Sequence, residues 1–120
     1  MAAAALLLLG GTVFNDSRPN PAEIAGRWSV DLRLEQADRP YHQLMQLTVA
    51  EDGAVTGEFG NSPILAGRTG SGQGRDCVAF RTADSGGANF SSACIVAGRM
   101  VGQTWSEARN FVLPWTAERR

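Results

Sequence analysis

The chain of 120 residues contains no lysine, one histidine, one tyrosine and two cysteines. Each shortage excludes a chemistry. A structural or catalytic metal centre needs His, Cys, Asp and Glu clustered at ligand spacing, and the chain has neither a Cys-x-x-Cys nor a second histidine. His42 stands beside Tyr41 and no Gly-x-Ser-x-Gly occurs, so nothing pairs a nucleophile with a base. Gly70-x-Gly72-x-Gly74 has the glycine spacing of a phosphate loop, but no helical pattern follows it. Charge of one sign is missing too: 11 basic residues stand against 12 acidic ones, a net charge of -1 with no block of either. That balance argues against nucleic acid and anionic membrane as partners. No apolar run is long enough to span a bilayer. The absences predict a protein that is not an enzyme and needs no cofactor and no metal.

What is present is turn chemistry and alternation. The 14 glycines and 5 prolines supply many tight turns. From Trp28 the apolar residues recur every second position (Trp28, Val30, Leu32, Leu34), the period of a strand with one dry face. The same device continues along the chain. Strands are expected over Gly26 to Glu35, His42 to Ala50, Ala54 to Gly60, Ile64 to Thr69, Asp76 to Thr82, Phe90 to Ala97, Met100 to Trp105 and Arg109 to Ala117. Turn signals such as Glu51-Asp52-Gly53 and Asp84-Ser85-Gly86-Gly87 separate them. Residues 70–74 read as a flexible loop. Eight short strands with no long helix must bury one face and dispose of two edges. The predicted fold is all-β, an eight-stranded antiparallel up-and-down barrel. An open sandwich is the alternative.

One domain is expected over 26–120, preceded by a flexible leader over 13–25. Residues 1–12 resemble the hydrophobic part of a secretory signal, without its basic start. The cysteines agree with a periplasmic or secreted location. If the hairpin folds about Ser85-Gly86, residues whose numbers sum to 171 face each other, and Cys77 and Cys94 do. A disulfide closing a loop of this size stabilises by about 3 kcal/mol.

Parity predicts the interior: Trp28, Val30, Leu32, Leu34, Met45, Leu47, Val49, Val55, Phe59, Val78, Phe80, Ala93, Ile95, Phe111, Leu113 and Trp115. On the seventh strand the inward face is taken to be that of Trp105. The cysteines then fall on the outer face. So apolar an interior implies an apolar or aromatic guest, or no guest and a filled barrel.

The order of motifs resembles a known group. Gly26-Arg27-Trp28 resembles the Gly-x-Trp that opens lipocalins and avidins among the calycin barrels. The run from Leu47 to Gly57, with Glu51-Asp52-Gly53 at its turn, is similar to the second and third strands of the avidin/streptavidin family. Asn61-Ser62-Pro63 and Leu65-Ala66-Gly67-Arg68 resemble its fourth-strand region, and Val78-Ala79-Phe80 and Gln103-Thr104-Trp105 fall where it carries strands five and seven. The resemblance implies a small-molecule site at Trp28, Val30, Leu34, Phe59, Phe80, Ser92, Trp105 and Phe111. It also implies that Arg119 packs over Trp28 to close the barrel. The polar residues that hold biotin in that family are mostly unmatched here: Val30 stands for an Asn, Phe80 for a Trp, and Arg109 or Asn110 for an Asp. That argues against biotin.

The expected function is therefore an exported, non-catalytic barrel binding a small apolar or aromatic molecule. Two alternatives stay open. Ala25-Gly26-Arg27-Trp28 is similar to the opening of small periplasmic barrels that inhibit metalloproteases through an N-terminal segment, here Asn15 to Glu23. A structural or oligomer-forming role would instead use outward apolar residues such as Val96, Val112 and Pro114.

Overall fold

The computed structural model describes residues 21–120. The segment read as a signal and most of the leader lie outside the described residues. The elements are α1 (Pro21–Ile24), β1 (Gly26–Asp31), β2 (His42–Val49), β3 (Ala54–Phe59), β4 (Ser62–Pro63), β5 (Leu65–Gly72), β6 (Arg75–Asp84), β7 (Gly87–Val96), β8 (Arg99–Ser106) and β9 (Phe111–Arg119). Only Ile64 separates β4 from β5, and both pair with β3, so the two count as one interrupted strand. Each strand pairs antiparallel with its sequence neighbour, and β9 pairs with β1 from Trp28↔Arg119 to Asp31↔Thr116. The sheet has no free edge. It is a closed eight-stranded antiparallel barrel of up-and-down order.

Alternation decides which side chains fill it. Trp28, Val30, Met45, Leu47, Val55, Val78, Phe80, Ala93, Met100, Trp115 and Ala117 are all buried, with Leu32, Val49, Phe59 and Ile95 packed against them. Burying a large apolar side chain contributes about 1.5–3 kcal/mol. Tight turns set the register. Gln73 (φ 55°) with Gly74 (φ 73°), and Ala97 (φ 52°) with Gly98 (φ 78°), are two-residue left-handed turns whose twist suits a hairpin. The stretch 70–74 is therefore a hairpin rather than a loose loop, with β5 running through Gly72.

Other expectations change. The first strand ends at Asp31, not Glu35, because the Asp31 carboxylate accepts from the backbone N–H and side chain of Arg33 and turns the chain away. Leu34 is consequently 71% exposed. On β8 the inward face is Met100, Gly102, Thr104 and Ser106, and Trp105 points out, 36% exposed. Gly102 explains that choice. A Cβ there would lie 2.6 Å from the Ala93 Cβ and 2.9 Å from Trp115 Cη2, so a bare inward position makes room for the Trp115 indole. Ile24, within the stretch expected to be leader, packs in the core. Ile24 is fully buried and its carbonyl accepts from Trp28 Nε1 at 2.9 Å.

The two ends of the barrel differ. One end, carrying α1 and the turns after β2, β5 and β7, is plugged by Trp28. The other, ringed by residues 32–41, 60–61, 85–86 and 107–110, is open.

Candidate functional site: a hydroxyl-lined cup at the open end

At the open end the inward positions change character. Two residues above Phe80 comes Thr82; two before Ala93 comes Ser91; two and four beyond Gly102 come Thr104 and Ser106. Thr82, Ser91 and Ser106 are the buried polar side chains of the barrel, 5%, 4% and 3% exposed. With Gln43, Phe59 and Leu113 they line a cup of about 220 Å³. Leu32, Phe111, Asn89, Asp84 and Arg109 form its rim.

Aromatic side chains lie under the cup. Phe59 meets Trp115 edge-on at 5.6 Å and Phe80 at 5.9 Å. Trp115 Nε1 donates to Thr104 Oγ1 at 2.9 Å, and Thr104 Oγ1 lies 2.8 Å from Ser91 Oγ. That chain leaves a donor over. Two hydroxyls carry two protons and their mutual bond uses one, so one O–H remains available whichever of them donates. The hydroxyl of Thr82 makes no hydrogen bond to another described residue. No buried side-chain oxygen or nitrogen in the described residues is sealed without a partner, so the Thr82 hydroxyl opens onto the cup.

The rim is charged but balanced. Arg109 Nη1 lies 3.5 Å from Asp84 Oδ2 and 3.4 Å from Ser106 Oγ. Asp84 also accepts from the Gly86 N–H at 2.8 Å and from Asn89 Nδ2 at 3.2 Å. These bonds, the Gly86 N–H first, hold its carboxyl below the usual range.

Of the eight residues expected to line a site, Phe59 and Phe111 do so; Phe111 is on the expected face but at the mouth, 44% exposed. Phe80 lies beneath the cup, while Trp28 and Val30 are buried further down the barrel. Leu34, Ser92 and Trp105 are outside the barrel, against the expectation. Ser92 is displaced because its neighbours Ser91 and Ala93 take the inward positions. The hydroxyls, Gln43 and Arg109 were not anticipated; extending the inward parity by one step on β6 and β7 reaches Thr82 and Ser91, whereas Thr104 and Ser106 lie on the face of β8 expected to point outward.

Elsewhere the outer wall carries two larger but shallow grooves, about 530 and 570 Å³, across β5 to β8. One lies over the Cys77–Cys94 disulfide. An outward row Phe90↔Trp105↔Val112 crosses three strands beside the other. Their volume is open space between outward side chains, whereas the cup is where buried polar groups converge. His42 is exposed at the start of β2, opposite Asp31. Among the described residues no group of three His, Cys, Asp or Glu is placed to hold a metal, and no helix is long and apolar enough to cross a membrane. The segment proposed to act on a protease falls largely outside the described residues. No family model, no curated protein and no solved structure matches the chain.

Proposed function

We propose that the barrel is a non-catalytic binder that takes a small ring-sized molecule into the open cup. The observation that carries this is Thr82, a buried residue whose hydroxyl opens onto the cup and is bonded to no described residue. Because this hydroxyl opens onto the cup and is not sealed in, a guest's polar edge can take the place of the solvent that otherwise meets it. The guest is amphipathic rather than purely apolar. Its flat face rests on Phe59 and its hydrogen-bonding edge meets Thr82 and the spare donor of the Ser91–Thr104 pair. The cup is smaller than a drug-sized pocket of ~300 Å³ or more, so a fitting guest is one ring with short substituents.

The likeness of the strand motifs to avidins supports a ligand at this end of the barrel. The ligand itself differs, because Val30 and the other replacements remove most of the polar partners a buried ureido group requires. The Cys77–Cys94 disulfide supports an oxidising compartment, periplasmic or extracellular.

Thr82→Val tests the reading, since it removes one hydroxyl and keeps the shape. Neutral ring compounds with a hydrogen-bonding edge, such as cyclic ureas and lactams, are screened by the shift they cause in the melting temperature. The unliganded variant is expected to be as stable as the parent or up to about 1 kcal/mol more stable, while its hits bind about tenfold more weakly. Hits indifferent to Thr82→Val, or no hit at all, would remove the cup from consideration.

A further inference from the structure

Arg109 is the one cation lining the cup among the described residues, and its bonds are poor for a guanidinium. Its contacts to Asp84 and Ser106, 3.5 and 3.4 Å, both come from Nη1. Charge-assisted bonds from arginine run nearer 2.7–2.9 Å. Nε and Nη2 donate to no described residue. A Cβ on Gly86 would lie 2.7 Å from Nη2, so the guanidinium lies close against that turn.

Asp84 does not depend on this arginine. Its oxygens are met first by the Gly86 N–H and by Asn89, at 2.8 and 3.2 Å. The Asp31–Arg33 pair at the same end of the barrel shows what a committed partnership looks like, with Nε and Nη2 both on one carboxylate at 2.7–3.1 Å. Arg33 is committed to a neighbouring carboxylate, whereas Arg109 at the rim keeps Nε and Nη2 without a described partner.

We propose that the Arg109 fork at the rim of the cup is a carboxylate subsite, and that the natural ligand is a small cyclic monocarboxylic acid. The proposal rests on the cup being a binding site. The acid lies with its ring against Phe59 and Phe111, its polar edge toward Thr82 and Ser91, and its carboxylate on Nε and Nη2 of Arg109. A planar fork matches a carboxylate with two parallel bonds, which a lysine does not offer. Asp84 opposes the incoming charge, so its removal strengthens binding. That sign separates a carboxylate subsite from an arginine that merely ties down the loop.

The test uses two matched pairs, 4-hydroxybenzoate with 4-hydroxybenzamide and cyclohexanecarboxylate with its amide, titrated into the full chain. The readout is the indole N–H resonance of Trp115, whose proton is bonded to Thr104 at the edge of the cup. The Trp28 and Trp105 indoles, one in the plugged end and one on the outer wall, serve as internal controls. The acid of at least one pair is expected to bind about five- to tenfold more tightly than its amide. Arg109→Met abolishes the acid-over-amide preference and Asp84→Asn enlarges it. Equal binding of acid and amide, or a preference that survives Arg109→Met, overturns the carboxylate subsite while the cup stands. If neither member of either pair moves the Trp115 resonance up to about 10 mM, the subsite also falls. The Thr82→Val comparison with neutral compounds then judges the cup separately.

Discussion

Asp31 shows how one side chain sets a strand length. Its carboxylate accepts from the Arg33 backbone N–H at 3.0 Å, and Nε and Nη2 of the same arginine reach it at 2.7–3.1 Å. These bonds, the side-chain ones first, lower its pKa from 3.8 to about 2. The folded state thus binds this proton less readily than the unfolded chain, and the pair favours folding wherever Asp31 is ionised. The contribution is fully present above pH 3.8 and is lost as the pH falls through about 2. Asp31→Asn is expected to lower the urea midpoint at pH 7, with the gap to the parent closing as the pH approaches 2. A gap independent of pH would mean that the amide fails for its shape and not for its charge. The pair faces solvent at the rim, so salt should narrow the gap as well.

At the scale of elements, the β6–β7 hairpin is the best-specified unit. Ser85-Gly86 turns it, the Asp84 carboxylate holds the Gly86 N–H, and the register runs unbroken from Asp84↔Gly87 to Cys77↔Cys94. The two Cα atoms are 3.9 Å apart, the narrow kind of cross-strand pair, across a sequence separation of 17. Cys77→Ala with Cys94→Ala is expected to cost about 3 kcal/mol, a melting temperature lower by on the order of 10–20 °C, with the barrel still cooperative. Reduction of the parent should produce the same shift, and a loss below about 1 kcal/mol would mean that the turn alone confines the unfolded hairpin. This pairing was legible because it needs only one turn and a count of residues. Strand seven was not legible in the same way. Its two faces, Val101-Gln103-Trp105 and Met100-Gly102-Thr104, are equally plausible by composition, and the deciding fact is the space the Trp115 indole needs beside Gly102. That contact joins two strands and no periodicity contains it. The cup was missed for a different reason. Expectations for the interior followed apolar side chains and stopped at Phe80 and Ala93, one step short of Thr82 and Ser91, and on the strand of Trp105 they took the opposite face and so passed over Thr104.

For the whole molecule, the question is what keeps a meander closed. Backbone pairing between β1 and β9 joins the two ends of the described chain, and Arg119 reinforces it over the plugged end. Its guanidinium carbon lies 4.4 Å from the centre of the Trp28 ring, while Nη1 and Nη2 donate to the carbonyls of Ala25 and Glu23 at 2.9 and 2.6 Å. Those carbonyls close the single turn α1, which has no helical residues beyond it to satisfy them. One side chain therefore stacks on the plug, caps the turn that precedes it and belongs to the strand that completes the barrel. Arg119→Met keeps much of the apolar stem and removes the cation and the donors. It is expected to cost about 2 kcal/mol in urea unfolding. Arg119→Lys should recover only part of that, since an ammonium can sit over the indole but cannot reach two carbonyls as a planar fork does. Hydrogen exchange shows where the loss falls. If Arg119 acts by closure, the amides of Ser29, Val30, Thr116 and Ala117 lose protection first, while the disulfide hairpin keeps its own. A uniform loss across all eight strands would instead make the barrel one cooperative unit with no weaker seam, and would assign Arg119 to overall stability alone.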